Sequence, residues 1–89
     1  MKVIRVTAIW CMSCLVMRSR YDRIFKEYNI DKLIDLDYDE DSEKIENLDI
    51  GKVLPAVIIY KNDQEVKRIN GEKSKKKLKK IFKNLTEEK

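Results

Sequence analysis

A chain of 89 residues has room for one hydrophobic core and excludes a second. With 43 % hydrophobic residues and only 2 Gly and 1 Pro, it also excludes long linkers and low-complexity tracts, so one ordered domain over residues 1–89 is expected. The 20 Lys+Arg against 16 Asp+Glu leave a net charge of +4, too small to mark a nucleic-acid binder, and the absence of His excludes Cys-His nucleophilic catalysis within one chain.

No stretch approaches the roughly 20 apolar residues of a membrane span, and Met1-Lys2-Val3 leads into a strand without a signal-peptide pattern. A cytoplasmic protein without a membrane partner is the expectation. Val3, Ile4, Val6, Thr7 and Ile9 are β-branched and predict a strand buried on at least one face. From Cys14 the apolar positions Met17, Tyr21, Ile24, Phe25 and Tyr28 recur at steps of three and four, which predicts an amphipathic helix with Asn29 as a left-handed C-terminal cap. Leu33, Ile34, Leu36 and Tyr38 indicate a second strand. The acidic run Asp37 to Asp41 offers an N-cap for a short helix that carries Ile45 and Leu48 and stops before Gly51.

Pro55, the only proline, precedes the apolar run Ala56 to Tyr60, as befits a residue without an N–H at a strand's first position. Lys61-Asn62-Asp63-Gln64 reads as a turn, and Glu65 to Ile69 as a returning antiparallel strand that ends at Gly71. Leu78, Ile81, Phe82 and Leu85 then keep helical spacing, so the lysines from Lys73 to Lys83 read as the solvated face of a last helix and not as a nucleic-acid site. The order is βαβαββα. Residues 31–50 hold 2 Lys against 9 acids, net −7, whereas residues 51–89 hold 12 Lys+Arg against 5 acids, net +7. Such polarity suits the steering of a protein partner.

The chemistry gathers at Trp10-Cys11-Met12-Ser13-Cys14, where the first strand runs into the first helix. The first N–H groups of a helix lack intrahelical partners and its dipole places positive charge there, which favours thiolate over thiol at Cys11. Cys11 is the candidate nucleophile. Cys14 follows about one turn later, within disulfide reach and at the start of the apolar stripe, as suits a shielded resolving thiol; Cys11 is expected to be the accessible one. Trp10 is expected to flank the sulfur with an apolar surface.

The ordered set of Trp10-Cys11-x-x-Cys14 after a strand, Leu54-Pro55 before an apolar strand, a hairpin, and Gly71 before a closing helix resembles the thioredoxin-fold proteins over nearly the whole chain. The resemblance implies a three-layer α/β fold with a mixed four-stranded sheet flanked by helices, and a thiol-disulfide oxidoreductase of the thioredoxin/glutaredoxin kind. It implies that Cys11 and Cys14 are catalytic and that Trp10, Met12, Ser13, Leu54, Pro55 and Gly71 contact substrate, with Pro55 cis and the Leu54 backbone pairing with an extended segment. Protein disulfides would be the substrates, with a reductase or small thiol as electron donor, no bound cofactor or metal, and a monomeric protein. This chain also departs from the pattern. It lacks the extra N-terminal strand and helix of the usual thioredoxin, and Met12-Ser13 is neither Gly-Pro nor Pro-Tyr. Arg5 stands where thioredoxins carry a buried aspartate, leaving Lys2, Arg5 or water as electrostatic substitutes for the proton acceptor of Cys14. Two other readings stay open on the residues: a metal-binding or delivery module, for which two thiolates cannot complete a tetrahedral zinc site, and a non-catalytic partner-binding domain.

Overall fold

The computed structural model describes residues 1–28 and 30–87, so the cap expected at Asn29 lies outside the described residues. Seven elements follow in the expected order: β1 (Lys2–Thr7), α1 (Met12–Glu27), β2 (Lys32–Asp37), α2 (Ser42–Glu46), β3 (Ala56–Lys61), β4 (Gln64–Asn70) and α3 (Lys75–Glu87). The strands form one sheet in the order β2-β1-β3-β4. β1 is parallel to β2 and antiparallel to β3, and β4 returns antiparallel to β3, which makes the sheet mixed.

Because strand side chains alternate between faces, each central strand feeds two cores. Val57 and Ile59 of β3 join Val3 of β1 against Met17, Tyr21, Ile24 and Phe25 of α1 and Leu78, Phe82 and Leu85 of α3. Ala56 and Ile58 point the other way, joining Val6 and Leu36 against Ile45 of α2, Ile50, Leu54 and both cysteines. A strand covered on both faces must be apolar throughout, which is why Ala56-Val57-Ile58-Ile59 is an unbroken buried run. The three layers are thus α1 and α3, the sheet, and α2.

Local chemistry sets the connections. Asn62 and Asp63 both have positive φ, 51° and 63°, as a tight hairpin turn between β3 and β4 requires. Ser74 Oγ accepts the Lys77 N–H at 3.1 Å and caps α3, whose lysines 75, 76, 77, 79, 80 and 83 all face solvent. The second helix is shorter than its sequence pattern promised, leaving Leu48 outside it. Asp41 occupies its N-cap position, but the carboxylate is spent elsewhere: Asp41 Oδ2 accepts the Asp37 N–H at 2.8 Å. Asp37 Oδ2 in turn accepts the N–H groups of Asp39 and Glu40 at 3.0 and 2.9 Å. The acidic run is therefore a turn stitched by its own carboxylates, a common use of Asp in loops.

Candidate active site

β1 ends at Thr7, and three residues carry the chain to Cys11, which is the N-cap of α1 in extended geometry (φ −95°, ψ 110°). The Cys11 N–H donates to the Ala8 carbonyl at 3.2 Å, and Cys11 Sγ accepts the Cys14 N–H, also at 3.2 Å. A sulfur does here what a serine or aspartate oxygen does at an ordinary N-cap, taking up one of the helix's orphan donors. No acidic residue in the first turn opposes negative charge on it. The two cysteines are not joined in a disulfide.

Their exposure is a correction to the expectation of one open and one shielded thiol. Cys11 is 9 % exposed and Cys14 4 %, so both are buried. Cys11 is covered because its sulfur turns inward to meet the Cys14 N–H and packs in one apolar cluster with Ala8, Leu54 and Ala56. Burial, then the hydrogen bond to Cys11, pushes the Cys14 thiol up to about 11, outweighing the Ala8 backbone hydrogen bond and the charge of Arg18.

The Leu54-Pro55 peptide bond is cis, and Pro55 is fully buried. The flanking residues Leu54 and Ala56 share the cluster of the two cysteines, so the fold brings together segments distant in sequence. Gly71 belongs to the same neighbourhood: its N–H donates to the Pro55 carbonyl at 3.0 Å. Its φ of 79° favours glycine, and a Cβ there would press on Val53 Cγ1 at 3.1 Å. Met12 is exposed and Ser13 half-buried in the first turn of α1. Sequence reasoning missed the residues that hold this loop. Asn70 Nδ2 donates to the carbonyls of Ile50 and Val53, and Arg68 to those of Leu48 and Asp49. Their only signal was a polar side chain at the end of a hairpin strand.

Trp10 is 59 % exposed, and the structure seats its indole against the acidic turn: Nε1 donates to Asp39 Oδ2 at 2.7 Å and the ring meets Tyr38 edge-on. Ile9, Met12, Leu15, Val16 and Val53 are exposed as well, leaving a broad apolar rim at this end of the molecule. Neither cation considered as a substitute for the missing aspartate is free for that task. Arg5, 3 % exposed, donates to both oxygens of Asp35 at 2.6 and 3.0 Å and to Asp22 at 2.9 Å, while Lys2 lies over the Tyr60 ring at the other end of the sheet. Among the described residues no group of three or more His, Cys, Asp or Glu side chains is placed to hold a metal ion, so a metal held by the two cysteines would need further ligands from beyond these residues.

A mixed four-stranded sheet with a CxxC pair at the β1–α1 junction and a cis-proline loop packed beside it defines the thioredoxin-like class. The family model described as Thioredoxin matches residues 1–84, and the chain belongs to that family. Among solved structures it is similar to thioredoxin-2 of the malaria parasite, described as a component of that parasite's protein secretion machinery, with a TM-score of 0.80 and 25 % identity over 93 % of this chain and 81 % of that one. The oxidised thioredoxin of Plasmodium falciparum gives 0.77 and 27 % over 94 % and 79 %. Thioredoxin 1 of Thermosipho africanus, at 0.78 and 23 % over 97 % and 96 %, is a likeness of fold. No curated protein matches the sequence.

Proposed function

We propose that the chain is a thiol-disulfide oxidoreductase that reduces or exchanges disulfides in protein substrates. Cys11 attacks a substrate disulfide, forming a mixed disulfide and releasing one substrate thiol. Cys14 then attacks Cys11 Sγ, the substrate's second sulfur leaves with the electron pair, and the Cys11–Cys14 disulfide carries away the two electrons' worth of oxidation. A reductase or a small thiol restores the dithiol, as fits a reducing compartment such as the cytoplasm. The observation that carries this reading is Cys11 Sγ at the N-cap of α1 accepting the Cys14 N–H, since it holds the nucleophile at the positive end of the helix and its resolver one turn behind.

Holding Cys14 in place matters more than activating Cys11. A more ionised thiol is also a less nucleophilic one, so the two effects largely offset each other on attack. An intramolecular resolver acts at a high effective concentration and contributes far more. The exposed rim of Trp10, Met12 and Val53, with the half-buried Ser13 and Gly71, is the surface on which an extended substrate segment would lie; Leu54 and Pro55, expected to touch substrate, have buried side chains and support that surface from beneath.

Reduction of insulin in dithiothreitol, followed by turbidity, tests the proposal. The wild type accelerates precipitation, and the Cys11→Ser, Cys14→Ser double variant falls to the rate of dithiothreitol alone. Equal rates for the two proteins would overturn it.

A further inference from the structure

The resolving step has a proton to dispose of. Cys14 is buried, and a thiol pushed up to about 11 is ionised only to roughly one part in ten thousand at neutral pH, so its proton must leave as the sulfur attacks. The strand position from which the family's buried aspartate would take it holds Arg5, which accepts no proton and is committed to Asp22 and Asp35.

A cavity of about 260 Å³ opens beside Cys14, and its walls include Thr7, Arg18 and Asp37. Thr7 and Asp37 are paired in register at the ends of β1 and β2. Along β2, Asp35 and Asp37 point to the same face of the sheet, because strand side chains repeat every second residue. Asp35 is closed off, with both oxygens taken by Arg5. Asp37 is not: its Oδ2 receives the Asp39 and Glu40 N–H groups, while Oδ1 has no hydrogen-bond donor among the described residues. The neighbouring acids are engaged otherwise, Asp39 by Trp10 and Asp41 by the Asp37 N–H and Lys44. The groups whose charge or hydrogen bonds act on Cys14 directly are Cys11 at the cap, the Ala8 backbone and Arg18 from α1, while Asp37 from β2 shares only the cavity with it; the segments around β1 and β3 contribute Ala8, Leu54 and Ala56.

Resting on the redox reading above, we propose that Asp37 is the proton acceptor for Cys14, reached across the cavity that both residues line, with Arg18, which lines the same cavity, stabilising the developing thiolate. The cavity has room for water, whose share of liquid volume is about 30 Å³ per molecule. In the step, the Cys14 sulfur bonds to Cys11 Sγ and the bond from Cys11 to the substrate sulfur breaks, leaving its electron pair on the substrate thiolate. The Cys14 proton passes through the cavity to the Asp37 carboxylate, and from there to solvent or to the departing thiolate. No oxidant beyond the substrate disulfide is needed.

Stopped-flow reaction of the reduced protein with 5,5′-dithiobis(2-nitrobenzoate) separates the two steps, because attack by Cys11 releases a first equivalent of thionitrobenzoate and attack by Cys14 a second. Asp37→Asn keeps an acceptor oxygen for the turn but lacks the base. At neutral pH it should slow the second phase about tenfold or more, near the lower end of what general bases contribute, and leave the first phase unchanged. Its second phase should then climb about tenfold per pH unit with the free thiolate, while the wild type climbs less steeply. Asp37→Glu should recover most of the rate, and Asp63→Asn, at the hairpin on the opposite end of the sheet, should change neither phase. An unchanged second phase in Asp37→Asn, or equal slowing of both phases, overturns the assignment of Asp37 and leaves the redox reading standing. Release of only one equivalent by the wild type overturns the redox reading, and this proposal with it.

Discussion

Tyr21 buries its hydroxyl completely beneath α1, with no hydrogen-bond partner among the described residues. An orphaned buried polar group costs on the order of 1–3 kcal/mol, and burial holds this phenol above its ordinary value, opposed only by the charge of Arg5. Cys14 shows the same burial effect, moving from 9.0 to about 11. The sign follows directly. As pH rises past the unfolded values the unfolded chain gives up these protons first, binds fewer than the native state, and stability falls; below about pH 9 the contribution of Cys14 is fully present, and it is lost by about pH 11. Tyr21→Phe should therefore be neutral or stabilising by up to about 1 kcal/mol at neutral pH, and should flatten the alkaline limb above about pH 10, where an unfolded tyrosine ionises. Urea midpoints at neutral and alkaline pH check this, and the same alkaline drop in both proteins would contradict it. At this scale the sequence was only half legible. The cysteine pair and Pro55 announce themselves by type and spacing, whereas the partners of Arg5 lie 17 and 30 residues away and become visible only once β1 and β2 pair in parallel with Arg5 opposite Asp35. The burial of Cys11 was hidden for the same reason, since the residues that cover it come from both sides of the site.

Among the elements, β4 has a duty beyond completing the sheet. Arg68 and Asn70 reach back to four carbonyls of the segment from Leu48 to Val53, which leads into Leu54-Pro55, and the Gly71 N–H then binds the Pro55 carbonyl itself. Buried or half-buried carbonyls left without donors are costly, so these side chains hold the loop in one conformation. Asn70→Ala should lower the insulin-reduction rate several-fold while costing only about 1 kcal/mol in urea unfolding, because the two lost bonds position the loop more than they hold the fold. A rate unchanged from wild type would assign Asn70 to stability alone. The strands and long helices were readable because their apolar residues obey a period, and α2 was readable only in part. Ile45 and Leu48 have helical spacing, yet the acidic residues expected to cap the helix satisfy the turn before it, and the helix ends at Glu46.

Over the whole molecule, the charge segregation seen in the sequence becomes a geometric one. The acidic turn of Asp37, Asp39, Glu40 and Asp41 adjoins Trp10 at the cysteine end, whereas the lysines of α3 coat the helix that packs with α1 on one face of the sheet. Distance decides which pole a docking substrate feels. The molecule measures 35 × 27 × 18 Å, and the screening length is about 10 Å at 0.1 M salt but about 30 Å at 0.01 M. At low salt both poles act on an approaching chain and partly cancel, their segments carrying −7 and +7. At physiological salt a substrate at the apolar rim feels chiefly the acids beside Trp10, and these should favour cationic segments around the target disulfide. Two disulfide peptides of equal length, one flanked by lysines and one by glutamates, should differ in kcat/KM by several-fold at about 0.1 M salt, the cationic one being faster. The preference should shrink at about 1 M, where the screening length is about 3 Å. A faster anionic peptide at 0.1 M would mean that the lysine face, and not the acidic turn, meets the substrate.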